Sequence, residues 1–291
     1  MSSIKNEIFT EEKNKVEGGT LYLVATPIGN LADLSERAVK VLAEVDFVAA
    51  EDTRNSLKLL SHLGISKPMV SYFEHNKKER GEQIAARIAE GESCALITDA
   101  GTPAISDPGE DIVALCARKG LPVYSVPGPC AAIVALTVSG LPTGRFCFEG
   151  FLSTNKTERK KHLDALRTET RTMIFHEAPH KLKTTLADLA KVFGEDRPIS
   201  LCRELTKRNE EVMRVTVGEA IAYYEAHEPR GEYVLVLGGA SVENVKSDWE
   251  SISIKEHVER YIADGMSKMD AIKAVARDRG VAKSVIYKEV L

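Results

Sequence analysis

ALITDAGTPAISDPG, Ala95 to Gly109, is the stretch on which the fold turns. It opens as a short apolar run, Ala95-Leu96-Ile97, the composition of a strand buried on both faces. It then breaks into Asp99, Gly101, Pro103, Asp107, Pro108 and Gly109. A connection inside an α/β unit needs only two to six residues. A longer loop loaded with acids, glycines and prolines at a strand's carboxyl end is the signature of a loop that holds a ligand.

The flanking sequence repeats the pattern. TLYLVAT, VDFVAA, MVSYF, CALIT and PVYSV read as five buried strands. Helical segments separate them: one from about Asp33, one through Leu57, Leu60 and Leu63, then GEQIAARIAEG and EDIVALCARKG. Strand and helix in alternation predict a parallel sheet covered by helices. The candidate motifs all fall at strand ends: TPIGN, AEDTR, TDAGTPAISDPG and VPGPCAA.

Beyond about residue 142 the style changes. RFCFEGF, RTMIFHEA, ISLCREL, EEVMRVTV and GEYVLVLGG are aromatic or β-branched runs, with helical segments at about 156–168, 179–193 and 218–226. The expected architecture is therefore α/β with two α/β domains and a small helical tail. A flexible lead covers 1–18, a parallel-sheet domain 19–142, a mixed-sheet domain 143–240, a polar linker 241–254 and a helix-turn-helix-like tail 255–291.

Composition excludes several classes. The chain has 291 residues, 43% of them hydrophobic, and a formal net charge of -4, so any nucleic-acid surface must be local. No apolar run approaches the ~20 residues of a membrane helix. The N-terminus lacks the apolar core of a signal peptide. Five scattered cysteines without a C-x-x-C pair point to free thiols in a reducing cytoplasm, and no metal-ligand spacing occurs. The first loop, ATPIGNLADLS, lacks the G-x-G-x-x-G fingerprint, and no Walker loop or G-x-S-x-G elbow is present.

In their order along the chain, VATPIGNLADLSERA, VAAEDTR, SYFEHN, ITDAGTPAISDPG, VPGPCAAIVAL, FHEAPHK and CRELTK resemble the ribosomal RNA small subunit methyltransferase I family. That family lies within the tetrapyrrole-methylase-like superfamily. The resemblance spans roughly residues 19–240, and the tail is similar to a helical domain that many members carry. It implies S-adenosylmethionine folded in a cleft between two α/β domains, a homodimer, and methylation of a cytidine ribose 2′-hydroxyl in the decoding region of 16S rRNA, within the small ribosomal subunit. By motif position it implies cofactor contacts from Pro27, Ile28, Asp99, Thr102, Ile105, Ser106, Cys130 and Ala131. From the second domain it adds Glu177 or Ala178, Leu205 and Gly231. The chain departs from the family at FHEAPHK, where members often carry Tyr and Ser in place of His176 and Ala178.

The acceptor side is read from the residues. AEDTR joins Glu51 and Asp52 to Arg54 at a strand end. Asp52 or Thr53 can cap the next helix, and Arg54 either pairs with a nearby acid or holds a phosphate bidentately. Glu51, Asp52 and His75 are the candidate groups to orient or deprotonate a ribose hydroxyl, and alignment alone can also drive the transfer. Lys156, Arg159, Lys160, Lys161 and Arg167 form either a solvated helix face or a phosphate strip. In the tail, Lys268, Lys273, Arg277, Arg279, Lys283 and Lys288 outnumber Asp270, Asp278 and Glu289. Three competing readings stand beside the RNA enzyme: a tetrapyrrole methyltransferase, a cofactor-sensing helix-turn-helix regulator without catalysis, and a structural ribosome-assembly factor.

Overall fold

A computed structural model describes residues 15–241 and 252–290. Most of the expected N-terminal lead and of the 241–254 linker lies outside the described residues. The first half forms a five-stranded sheet from β1 (Leu21–Val24), β2 (Phe47–Ala50), β3 (Met69–Ser71), β4 (Cys94–Ile97) and β5 (Val123–Val126), in the order β3-β2-β4-β1-β5. Every pairing is parallel.

Period-two alternation distributes the strand residues between two cores. Tyr22, Val24, Val48, Ala50, Ala95 and Ile97 pack under α1 (Glu36–Glu44) and α2 (Thr53–His62). Leu21, Phe47, Ala49, Cys94 and Leu96 pack under α3 (Lys77–Ala89) and α4 (Gly109–Arg118). The helices start where local chemistry dictates. Ser35 caps α1 by accepting from the Ala38 amide, and Asp52 caps α2 by accepting from the Arg54 amide.

The topology creates the crevice. The chain leaves β1 toward β2, jumping the place of β4, and leaves β4 toward β5, jumping β1. These two central strands thus send their connections to opposite sides, and the loops at their carboxyl ends part.

The second half forms a mixed sheet from β6 (Phe146–Phe151), β7 (Thr172–Glu177), β8 (Pro198–Arg203), β9 (Glu211–Thr216) and β10 (Tyr233–Leu237), in the order β6-β7-β10-β8-β9. Only β6 and β7 run parallel; the other pairs are antiparallel. The five apolar runs of the second half are these five strands, and the parallel-then-mixed expectation holds. One face of this sheet is covered by α6 (Lys156–Ala165), α7 (Leu182–Phe193) and α8 (Val217–Ala226).

The other face receives α5 (Ala131–Val138), a helix with no charged residue. Its Ala132, Ala135 and Leu136 join Ile28 of the first domain to Ile174, Cys202, Leu205, Val234 and Val236 of the second. This shared core seats one sheet over the loop ends of the other. The tail comprises α9 (Ile254–Ala263), α10 (Lys268–Asp278) and α11 (Lys283–Val290) around Val258, Ile272, Val275 and Ile286.

Leu136 is buried in the shared core. Leu136→Ala is expected to lower stability by about 2–5 kcal/mol, as for a buried leucine that leaves a cavity. Urea unfolding followed by far-UV circular dichroism measures the change.

Candidate active site

The loop between β4 and α4 is organised by its own polar groups. The Gly101 amide donates to the Thr26 carbonyl at 3.1 Å and the Thr26 amide to the Gly101 carbonyl at 2.9 Å. The Thr26 hydroxyl donates to the Thr98 carbonyl at 3.1 Å, and the Thr102 hydroxyl to the Pro129 carbonyl at 2.8 Å. The Asp107 carboxylate accepts from the Ala104 amide at 3.0 Å and the Gly109 amide at 2.7 Å. The loops after β1, β4 and β5 are therefore one hydrogen-bonded unit.

Inside that unit Ala104 (φ 66°) and Ser106 (φ 61°) occupy the left-handed region. Non-glycine residues held there cost about 1–3 kcal/mol each and cluster at ligand sites. The opposite wall repeats the feature: Glu204 (φ 50°) and Thr206 (φ 64°) flank Leu205 in the loop after β8. That loop is braced by Lys207, whose Nζ donates to Glu204 at 2.9 Å and to Glu232 at 2.8 Å.

Two glycines let the walls meet. A Cβ at Gly29 would stand 2.3 Å from Lys207 Cγ and 2.9 Å from Thr206 Oγ1. A Cβ at Gly150, on the β6 bulge, would stand 3.0 Å from Ser106 Oγ.

Between the walls lies a cleft of about 500 Å³. The first domain contributes Ile28, Glu51, Thr98, Asp99, Ile105, Ser106 and Ala131. The second contributes Phe151, His176, Glu177, Ala178, Leu205 and Val234. Eight of the residues expected to touch cofactor thus line one space: Ile28, Asp99, Ile105, Ser106, Ala131, Glu177, Ala178 and Leu205. Cys130 lines an adjoining cavity of about 540 Å³ that shares Ile105 and Ser106. Pro27, Thr102 and Gly231 lie outside the lining of both. Thr102 works as a tether between loops, and Gly231 (φ 77°) makes room for Glu204, which a Cβ there would meet at 2.5 Å. The Glu177 carboxylate turns toward α7, accepting from the Ala178 amide at 2.8 Å and the Thr185 hydroxyl at 2.5 Å.

Of the four acceptor-side candidates, Glu51 alone is in the cleft lining, where Oε2 accepts from the Thr98 hydroxyl at 2.9 Å. Asp52 and Arg54 pair with each other: Nε to Oδ1 is 3.1 Å and Nη2 to Oδ2 is 2.8 Å. Hydrogen bonds from the Arg54 side chain, then from its amide, hold the Asp52 carboxyl down to about 2. The Arg54 side chain is 87% exposed beyond the cleft lining. His75 is exposed, edge-on to Phe73 with ring centroids 6.2 Å apart. In the basic strip, Arg159 is bound to Asp188 at 2.7 Å and Lys160 to Asp164 at 2.6 Å. Lys156 and Lys161 remain exposed on α6.

The sequence reading passed over Phe151, Lys207, Glu232 and Val234, and set His176 aside as a departure from the family. Their signal was weak: each sits in or beside a strand whose apolar pattern already has a packing explanation.

Residues 20–221 match the family model for tetrapyrrole (corrin/porphyrin) methylases. The ribosomal RNA small subunit methyltransferase I of Halalkalibacterium halodurans is 48% identical, over 92% of this chain and 93% of that protein. The protein of that name from Bacillus subtilis is 46% identical, over 94% of each. The chain belongs to the ribosomal RNA small subunit methyltransferase I family, within the tetrapyrrole methylases. A solved uroporphyrin-III C-methyltransferase from Thermus thermophilus, in complex with S-adenosylhomocysteine, shares the fold. Its TM-score is 0.53 at 19% identity, over 75% of this chain and 97% of that one.

Burial raises the Asp107 carboxyl above its ordinary value, against the lowering effect of the amides it accepts from. Its folded pKa therefore exceeds its unfolded one. In the window from about 3.8 up to the folded value, the folded chain binds more protons, and stability falls as pH rises. Asp107→Asn is expected to remove this component, so the melting temperature of the wild type relative to the variant drops as pH climbs through that window. Calorimetric scans of both proteins from pH 3 to 6 measure it.

Proposed function

We propose that this chain transfers a methyl group from S-adenosylmethionine to the ribose 2′-hydroxyl of a cytidine in the decoding region of 16S rRNA, on the small ribosomal subunit. The observation that carries this reading is the placement of two carboxylates, Glu51 and Asp99, at the carboxyl ends of the paired strands β2 and β4. They line one cleft with the apolar residues Ile28, Leu205 and Val234, in a chain whose relatives are named for rRNA methylation.

The cleft suits the cofactor chemically. Apolar walls at Ile28, Leu205 and Val234 match a purine face, and the Asp99 carboxylate matches a cationic amino-acid end. Gly101 (φ 91°) holds the loop in a turn where a Cβ would already meet Ile28 at 3.3 Å. When bound, S-adenosylmethionine supplies a methyl group activated by a positive sulfur. Ile105, Ser106, Ala131 and Ala178 complete the cofactor wall. Pro27, Thr102, Cys130, Glu177 and Gly231 support it from behind, by backbone or by packing.

Glu51 is the group that receives the acceptor hydroxyl. One carboxylate oxygen is held by Thr98, which fixes the side chain and leaves Oε1 to accept from a 2′-hydroxyl. Such an acceptor raises the nucleophilicity of a weak alcohol and sets its direction. Asp52 acts by orienting Arg54, whose exposed guanidinium is available to an RNA phosphate. His75, Lys156 and Lys161 are further exposed groups available to phosphates. The working form is a homodimer in the cytoplasm, where small subunits are assembled. Among the described residues no helix is long and apolar enough to cross a membrane.

Incubation with methyl-labelled S-adenosylmethionine tests the reading, with unmodified small subunits, naked 16S RNA and a uroporphyrinogen acceptor side by side. Label on a single cytidine ribose is expected. Label on the pigment alone overturns the reading in favour of tetrapyrrole methylation. Glu51→Gln is expected to lower kcat by about 10²–10⁴-fold with cofactor affinity unchanged. Asp99→Ala is expected to weaken cofactor binding by calorimetry at unchanged melting temperature.

A further inference from the structure

At the carboxyl ends of β6 and β7, one corner of the cleft is aromatic. The His176 ring sits between two phenylalanines, edge-to-face with Phe148 at 5.2 Å and with Phe151 at 5.3 Å between centroids. Its Nε2 is buried and, among the described residues, has no hydrogen-bond partner. A buried polar atom without a partner is uncommon and costs free energy unless a ligand satisfies it. Burial also holds the imidazole below its usual pKa, against a small opposing effect of Glu232. The ring is therefore neutral near pH 7, one nitrogen a donor and the other an acceptor. Phe151 lines the same cleft yet is 58% exposed. Its side chain is presented to whatever enters.

The corner runs outward from the apolar wall: His176 on β7 pairs with Val234, and Phe151 on β6 is one strand further out. β6 is an edge strand, and β8, which leads into Leu205, lies three strands away across β7 and β10. At about 4.8 Å per strand, Phe151 on β6 is some 14 Å from β8, and His176 on β7 about 10 Å from it. A small cofactor fits against the inner apolar wall. A nucleotide that belongs to a ribosomal subunit has to arrive from the edge. Sequence-specific RNA recognition commonly splays out a base, stacks it on an aromatic ring and reads its edge with hydrogen bonds.

We propose that Phe151 and His176 form the seat for the acceptor nucleobase: the base stacks on the Phe151 ring, and His176 Nε2 bonds to its polar edge. The proposal rests on the RNA-methyltransferase reading above.

The test uses the full chain with unmodified small subunits, in steady-state and single-turnover assays. Cofactor titration by calorimetry and sedimentation velocity run in parallel. Phe151→Ala is expected to raise KM for the subunit on the order of tenfold or more, with cofactor Kd within twofold. Phe151→Trp is expected to restore KM. His176→Phe keeps a ring between Phe148 and Phe151 and removes Nε2. It is expected to erode the preference for subunits with cytidine over uridine at the acceptor position. A raised cofactor Kd with unchanged subunit KM overturns the proposal and gives the pair to the cofactor's purine. A change of oligomeric state in Phe151→Ala overturns it in favour of a subunit interface. Unchanged values throughout overturn it outright. Failure of the wild type to label RNA sinks the underlying reading instead, and shows before any variant is made.

Discussion

The reciprocal backbone bridge between Thr26 and Gly101 is the contact on which the rest of the site depends. Two buried parallel strands, β1 and β4, end side by side and then send their chains to opposite edges of the sheet. Without a tie, the loops at that switch point would be independent. Two amide–carbonyl bonds and the Thr26 hydroxyl on the Thr98 carbonyl join them, and Thr102 on the Pro129 carbonyl adds the third loop. Three threonine positions thus convert a divergence in topology into a rigid floor. Thr98 reaches a step further and fixes Glu51. The polar side chains that looked like ligand donors in the sequence are largely spent on holding one another.

That division of labour explains where strain is stored. Ala104 and Ser106 on one wall and Glu204 and Thr206 on the other are held in left-handed conformations. Each pair is braced by a buried or bridged carboxylate: Asp107 accepts from two amides on the first wall, and Glu204 binds Lys207 and the Glu232 amide on the second. The compensation lies beside the cost, which is what a preorganised site requires. Glycine appears where the walls touch. A Cβ at Gly29 would clash with Lys207 Cγ at 2.3 Å, and one at Gly150 would crowd Ser106 Oγ at 3.0 Å.

Much of this was legible in the sequence, and the boundary of legibility has a physical basis. Buried parallel strands such as CALIT and VDFVAA announce themselves as continuous apolar runs, because both faces are covered. The strand-end loops stand out because a plain connection has no use for Asp99, Gly101, Thr102 and Asp107 together. What a single chain does not expose is pairing across long sequence distances. Asp52 and Arg54, two positions apart, form an ion pair, which is one of the readings the sequence leaves open for Arg54. The Thr102 hydroxyl, which reads as a ligand donor, donates to the Pro129 carbonyl 27 residues on. His176 lies within a strand whose alternation is already explained by packing, so nothing in the pattern separates its unsatisfied Nε2 from an ordinary core histidine. Only the placement of Phe148 and Phe151 around it does.

The shared core constrains how such a site can vary. Ile28 and Leu205 line the cleft and also belong to the core that joins the domains through α5. A change at either alters the seating of one sheet on the other along with the shape of the wall, so this side of the cleft has little freedom. Phe151 lies outside that core on the edge strand, while His176 on the next strand packs edge-on against Phe148, which borders it. Phe151 can therefore change without removing a residue of that core. A fold that keeps one chemistry while its acceptors differ needs a fixed inner wall and a variable rim. Here the division between the two coincides with the division between interdomain core and sheet edge.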